Sequence, residues 1–142
     1  MTKIQEEQLK KINYFSENTL MRTLQIEFIE IGDDYLVATM PVNSKVYQPM
    51  GYLHGGATIA LAESLGSCLS HIMVDDAENY NVFGLEVAAN HIKSKREGHV
   101  KGIAKIRHKG KTTHLVLIEV QDETGNLIST VKMTNIIVPK KK

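Results

Sequence analysis

Only one stretch in the middle of the chain has the pattern of a long helix. From His54 to about Ile72, the residues Ala57, Leu61, Ser64, Leu65, Cys68 and Ile72 recur at three- and four-residue spacing, which gives one continuous face of apolar and small side chains. After the polar stretch Met73–Asn81 everything reads as strand, in runs over 82–92, 99–107, 113–121 and 127–138. The alternation is clearest where Val100, Gly102, Ala104 and Ile106 interleave with His99, Lys101, Ile103 and Lys105. Turn formers part the runs at Glu97-Gly98, Lys109-Gly110-Lys111 and Glu123-Thr124-Gly125-Asn126. One central helix followed by strand–turn units predicts an α+β fold, with an antiparallel sheet wrapped on the helix. An open sheet covered by two helices fits the same pattern, and periodicity does not choose between them.

Upstream, Ile4, Leu9, Ile12 and Phe15 have the spacing of a short amphipathic helix within an N-terminal helical segment, residues 1–20. Ser16-Glu17-Asn18-Thr19 reads as a break or cap. From Leu24 the pattern becomes strand-like through Ile26 and Phe28, turns at Gly32-Asp33-Asp34, and resumes over Leu36, Ala38, Met40 and Val42. No repeat or linker interrupts the 142 residues, so a single domain over 1–142 is expected, ending in a basic tail at 139–142.

Composition excludes several classes of function. Lys plus Arg is 17 against 16 Asp plus Glu, a net charge of +1, which argues against a broad basic nucleic-acid surface. The lone Cys68 rules out an intrachain disulfide framework and a cysteine-rich zinc site. No apolar run approaches the roughly 20 residues of a bilayer span, and MTKIQEEQLKK lacks the apolar core of a signal peptide, so a cytoplasmic, non-membrane protein is expected.

The residues that carry chemistry crowd into Tyr47-Gln48-Pro49-Met50-Gly51-Tyr52-Leu53-His54-Gly55-Gly56, which runs into the helix bearing Glu63 and Ser67. Two glycines after a histidine at a helix start leave backbone N–H groups uncovered at the positive end of the helix dipole. That position suits a carbonyl oxygen or the oxyanion of acyl transfer. Glu63 is the lone carboxylate in a helix otherwise built from apolar and small residues, and Ser67 follows four residues later on the same face. Gly55 and Glu63 lie about 12 Å apart along one helix. A single acyl carbon cannot meet both from the same chain, so a shared site requires Gly55 of one subunit and Glu63 of another.

The string QPMGYLHGGATIALAESLGS resembles the signature of hotdog-fold acyl-CoA thioesterases, in the branch that hydrolyses aromatic acyl-CoA esters and includes proofreading thioesterases of enterobactin synthesis. GLEVAANHIKSKREGHVKG and DETGNLISTVKMT are similar to the same branch, and the likeness covers roughly residues 15 to 138. The resemblance implies a long central helix wrapped by a curved antiparallel sheet, with active sites at the interface of an obligate dimer or dimer of dimers. It implies Glu63 as nucleophile or general base and Gly55 N–H polarising the thioester carbonyl with the Gln48 side chain. His54 would support the leaving thiolate, and Ser67 would position Glu63 or the lytic water. His91 would line the acyl pocket or its entrance, and Gly84 would bind substrate. Lys93, Ser94 and Lys95, with Lys109, Gly110 and Lys111, would meet the phosphates of CoA; read alone, these clusters are solvated hairpin ends.

The expectation is therefore hydrolysis of an acyl-CoA thioester, an aromatic or small acyl group favoured, by a homo-oligomer without a cofactor, CoA being part of the substrate. An acyl carrier protein as the acyl donor, or a non-catalytic acyl-CoA-binding module, are the alternatives. The six histidines show no metal-ligand spacing. Cys68, on the apolar face of the helix with no nearby base in sequence, reads as a packing residue.

Overall fold

The computed structural model describes residues 1–142. In chain order it contains α1 (Lys3–Phe15), α2 (Leu20–Thr23), β1 (Glu27–Ile31), β2 (Tyr35–Pro41), α3 (Gly55–Met73), β3 (Tyr80–His91), β4 (His99–Lys109), β5 (Thr113–Gln121) and β6 (Leu127–Pro139). α1 starts on a capping box: the Thr2 hydroxyl accepts from Gln5 N–H, and Gln5 Oε1 accepts from Thr2 N–H. It stops before Asn18, whose φ of 59° is left-handed.

The first strand begins later than its alternation suggests. Leu24 is the C-cap of α2, its N–H given to Leu20 O, and Gln25 turns left-handed at φ 57° before β1 opens at Glu27. The Thr19 side chain, which caps α2 by accepting from Met21 N–H, wins these residues for helix.

α3 packs on β2, β3, β4, β5 and β6. Five strands about 4.8 Å apart are wider than one helix, so the sheet has to bend around it. The single-helix alternative is the one that forms, and this is the hotdog architecture. Leu61, Ala62, Leu65 and Leu69 on the inner face of α3 are fully buried against Val100, Ala104, Val116, Ile118 and Met133. Truncating Leu65 to alanine there would cost about 2–5 kcal/mol.

The strands do not pair in chain order. The sheet runs β1-β2-β4-β5-β6-β3, antiparallel throughout. β3 lies on the far edge beside β6, and the chain crosses back over three strand spacings to place β4 against β2. Residues 92–98 make that crossing. They pass the N-terminus of α3, where Lys95 O accepts from Leu53 N–H at 2.8 Å. The crossover thus determines where the functional groups meet. As an edge strand, β3 is exposed over most of its length, Phe83 and Leu85 included.

The basic end is not a free tail throughout. Pro139 closes β6, and Lys140 is held by its N–H on Asn79 O and its Nζ on Ala77 O, both at 2.8 Å. No helix is long and apolar enough to cross a membrane.

Candidate active site

Residues 43–54 form a tight loop that delivers side chains to the start of α3. Asn43 Oδ1 accepts from Lys45 N–H and starts a short 3-10 turn whose Val46 is buried. Gln48 N–H bonds to Tyr52 O at 2.8 Å around Gly51, which has the left-handed φ of 81° that this turn needs. The crossover locks onto this loop from the other side. Tyr47 Oη donates to Arg96 O, and the Arg96 guanidinium lies 4.4 Å from the centre of the Tyr52 ring.

Three groups around Gly55 are left with donors to give. The Gly55 N–H finds no acceptor in the chain. Gln48 accepts from Met50 N–H through Oε1, which identifies that atom as the oxygen and leaves its NH₂ free. His54 is the N-cap of α3: its Nδ1 accepts from Gly56 N–H at 2.7 Å, so in the neutral ring the proton sits on exposed Nε2. The histidine expected to serve the leaving group therefore has a second task, starting the helix.

His91 closes the opposite wall. Its Nδ1 lies 2.7 Å from the Oγ of Ser129, its cross-strand partner on β6, and its Nε2 stands 2.7 Å from where a Cβ on Gly55 would be. Only glycine leaves room for the ring. Gln48, Gly55, Thr58, His91 and Ser129 line a cleft of about 280 Å³ that continues along Lys93, Ser94 and Lys95. A larger groove of about 750 Å³, between the α1–α2 turn and β1–β2, contains none of these donors.

Glu63 and Ser67 do not line this cleft. Two turns further along α3, Glu63 is exposed and has no ion-pair partner, and Ser67 makes no hydrogen bond to it within the chain. Gly84 lies beside Glu63, not beside Gly55: a Cβ there would be 3.1 Å from Glu63 Oε1. One chain thus holds two half-arrangements, donors around Gly55 and a carboxylate beside Gly84.

The basic clusters part company too. Lys93, Ser94 and Lys95 reach the cleft, but the Lys95 ammonium is taken by Glu123 at 2.7 Å, and that hydrogen bond holds the Glu123 carboxyl below its usual range. Lys109, Gly110 and Lys111 sit at the β4–β5 turn, away from the cleft; Lys109 is bonded to Asp75 at 2.6 Å, and Gly110 N–H closes the turn on Thr113 O. Burial pushes the Cys68 thiol up to about 12, which makes it a poor nucleophile. No group of three or more His, Cys, Asp or Glu side chains gathers as metal ligands.

Alternation alone does not single out Ser129, although it falls on the buried phase of the last strand. Its importance depends on the β3–β6 register.

The family model of the thioesterase superfamily matches residues 50–129, a span that holds Gly55, Glu63, His91 and Ser129. The chain belongs to the thioesterase superfamily. Among its thioesterase relatives, 1,4-dihydroxy-2-naphthoyl-CoA hydrolase of Escherichia coli is 42% identical over 130 residues, 92% of this chain and 94% of that one. Proofreading thioesterase EntH of Cronobacter turicensis is 37% identical over 130 residues, 92% of this chain and 93% of the other. The crystal structure of a mutant of thioesterase PA1618 from Pseudomonas aeruginosa superposes with a TM-score of 0.90 at 39% identity, covering 93% of this chain and 94% of that one. The hotdog thioesterase fold is thus common to this chain and its structural neighbours.

Proposed function

We propose that this thioesterase hydrolyses acyl-CoA esters, with aromatic acyl groups favoured, at sites shared between two copies of the chain. The observation that carries the reading is the Gly55 N–H: a backbone donor at the positive end of a 19-residue helix, without an acceptor and beside the free amide of Gln48. In this reading the thioester carbonyl oxygen takes those two donors. Glu63 of a second copy either adds to the carbonyl carbon itself, forming an acyl–Glu63 anhydride that water hydrolyses once the thiolate has left, or takes a proton from a water that adds there. The C–S bond then breaks, and the thiolate leaves toward the Nε2–H of His54. Ser67 beside Glu63 orients the carboxylate or the water once the second copy closes the site. The two-chain requirement rests on the helix: about 12 Å separates Gly55 from Glu63 within one copy. A dimer, or a pair of dimers, supplies the missing half.

Aromatic preference is supported by the named substrate of the Escherichia coli relative. Lys93 lines the cleft beside Ser94 and, like Arg96 over the Tyr52 ring, is not held by a carboxylate, so these two cations are free to meet CoA phosphates where Lys95 is taken by Glu123.

A panel of aroyl-CoA, short alkyl-CoA and aroyl-carrier-protein thioesters, followed by release of free thiol, tests the reading. Hydrolysis fastest on aroyl-CoA is expected. Preference for the carrier-bound ester would shift the function to proofreading, and binding without thiol release would make the protein a non-catalytic acyl-CoA binder.

A further inference from the structure

We infer that Ser129 is a positioning residue that holds His91 in the Nε2–H form, so that the imidazole presents a second N–H donor to the acyl group beside Gly55. This rests on the thioesterase reading above, but the first of its observations is independent of it.

The hydroxyl of Ser129 is fully buried, and His91 Nδ1, at 2.7 Å, is its only hydrogen-bond partner. Two assignments of the proton satisfy that distance. If Nδ1–H donates to Oγ, the hydroxyl hydrogen is left in the interior with no acceptor, at a cost typical of a buried unpaired donor. If the hydroxyl donates to Nδ1, both atoms are satisfied and the ring proton moves to Nε2. The second assignment wins because nothing else near Ser129 accepts.

The position of the ring makes that proton useful. His91 and Ser129 face each other across the β3–β6 ladder, so the hydrogen bond joins two fixed strands. Nε2 then lies against the bare face of Gly55, 2.7 Å from the Cβ position, on the wall of the cleft that also holds Gln48. A carbonyl bound at the Gly55 N–H would lie within the reach of this edge of the ring. Nδ1–H imidazole would offer a lone pair there instead, and would repel the same oxygen.

The test pairs a spectroscopic readout with kinetics on the full-length protein. Long-range ¹H–¹⁵N correlation of the histidine rings near neutral pH is expected to show His91 with its proton on Nε2 and Nδ1 as a hydrogen-bonded acceptor. Ser129→Ala is expected to remove the bonded Nδ1 signature and to lower kcat roughly three- to tenfold, the range set by one oriented hydrogen bond, with KM for aroyl-CoA little changed. Ser129→Thr, which keeps the hydroxyl on a strand, is expected to restore both. A wild-type proton on Nδ1, or an alanine variant with undiminished kcat, overturns the proposal. A threonine variant that recovers neither signature nor rate also overturns it. If the wild-type protein hydrolysed no thioester, the functional reading would fall, while the tautomer measurement would still decide how Ser129 holds the ring.

Discussion

A Cβ at Gly84 would lie 3.1 Å from Glu63 Oε1 and 3.1 Å from Met133 Cε. The edge strand therefore leaves a bare backbone position directly beside the carboxylate, at the bulge between Gly84 and Glu86. Both neighbours are ends of flexible side chains, so Gly84→Ala should cost less than about 1 kcal/mol of stability. Moving Glu63 by a fraction of an ångström should matter more, lowering kcat about tenfold or beyond. Denaturant unfolding and steady-state kinetics on the same preparation check both halves.

Gly55→Ala puts a methyl group 2.7 Å from His91 Nε2, closer than real contacts allow. Alanine is the better helix former, so the fold should be retained. The ring has to swing away from Ser129 and the cleft narrows, and kcat/KM should drop about a hundredfold, as when an oxyanion donor is lost. Retained activity would remove Gly55 from the centre of the site.

Glu63→Ala should abolish turnover and leave stability within about 0.5 kcal/mol, because the side chain is exposed and unpaired in the chain. Single-turnover hydrolysis in ¹⁸O-labelled water then separates the two roles in the wild type. Label in the Glu63 carboxylate marks it as the nucleophile, and label only in the product acid shows that water adds at the acyl carbon.

Mixing inactive Gln48→Ala and Glu63→Ala chains, by refolding them together, should regain about a quarter of wild-type activity. Half of the resulting dimers carry both variants, and each of these has one site with neither substitution. No recovery would show that the two residues act within one chain.

His114 on β5 is 1% exposed, and neither ring nitrogen has a partner. Burial holds it below its ordinary range, with Lys109 adding to the shift and Asp75 opposing it. The unfolded chain binds this proton first, so stability is complete above the unfolded value of about 6.5 and falls as pH drops from there toward the lower folded value. His114→Leu should flatten that part of the stability curve. Urea unfolding at pH 7 and 5.5 measures the difference between the two proteins.

The periodicities of single elements are legible in the amino-acid sequence. The apolar spacing of Ala57, Leu61, Leu65 and Cys68 places α3 within a residue or so of its ends, and the strands fall close to their alternating runs. The collection of Gln48, His54 and Gly55 is legible because it is local: one tight loop carries all three to one helix start. Leu24 misleads because its alternation competes with the cap at Thr19, and the cap prevails.

The order of residues settles the local choices: where the backbone turns, which face of each element is apolar, and that Gly55 and Glu63 stand too far apart on one helix to share a carbon. Tertiary structure alone decided the partners. Any strand with one apolar face can pair with any other, so alternation holds no information that sends β3 past β6, brings His91 onto Ser129 and Gly84 onto Glu63, or leaves Lys109 on Asp75 away from the cleft. Those contacts join residues 21 to 38 positions apart in sequence (Glu63 to Gly84, and His91 to Ser129), and they form only when the whole sheet closes around α3.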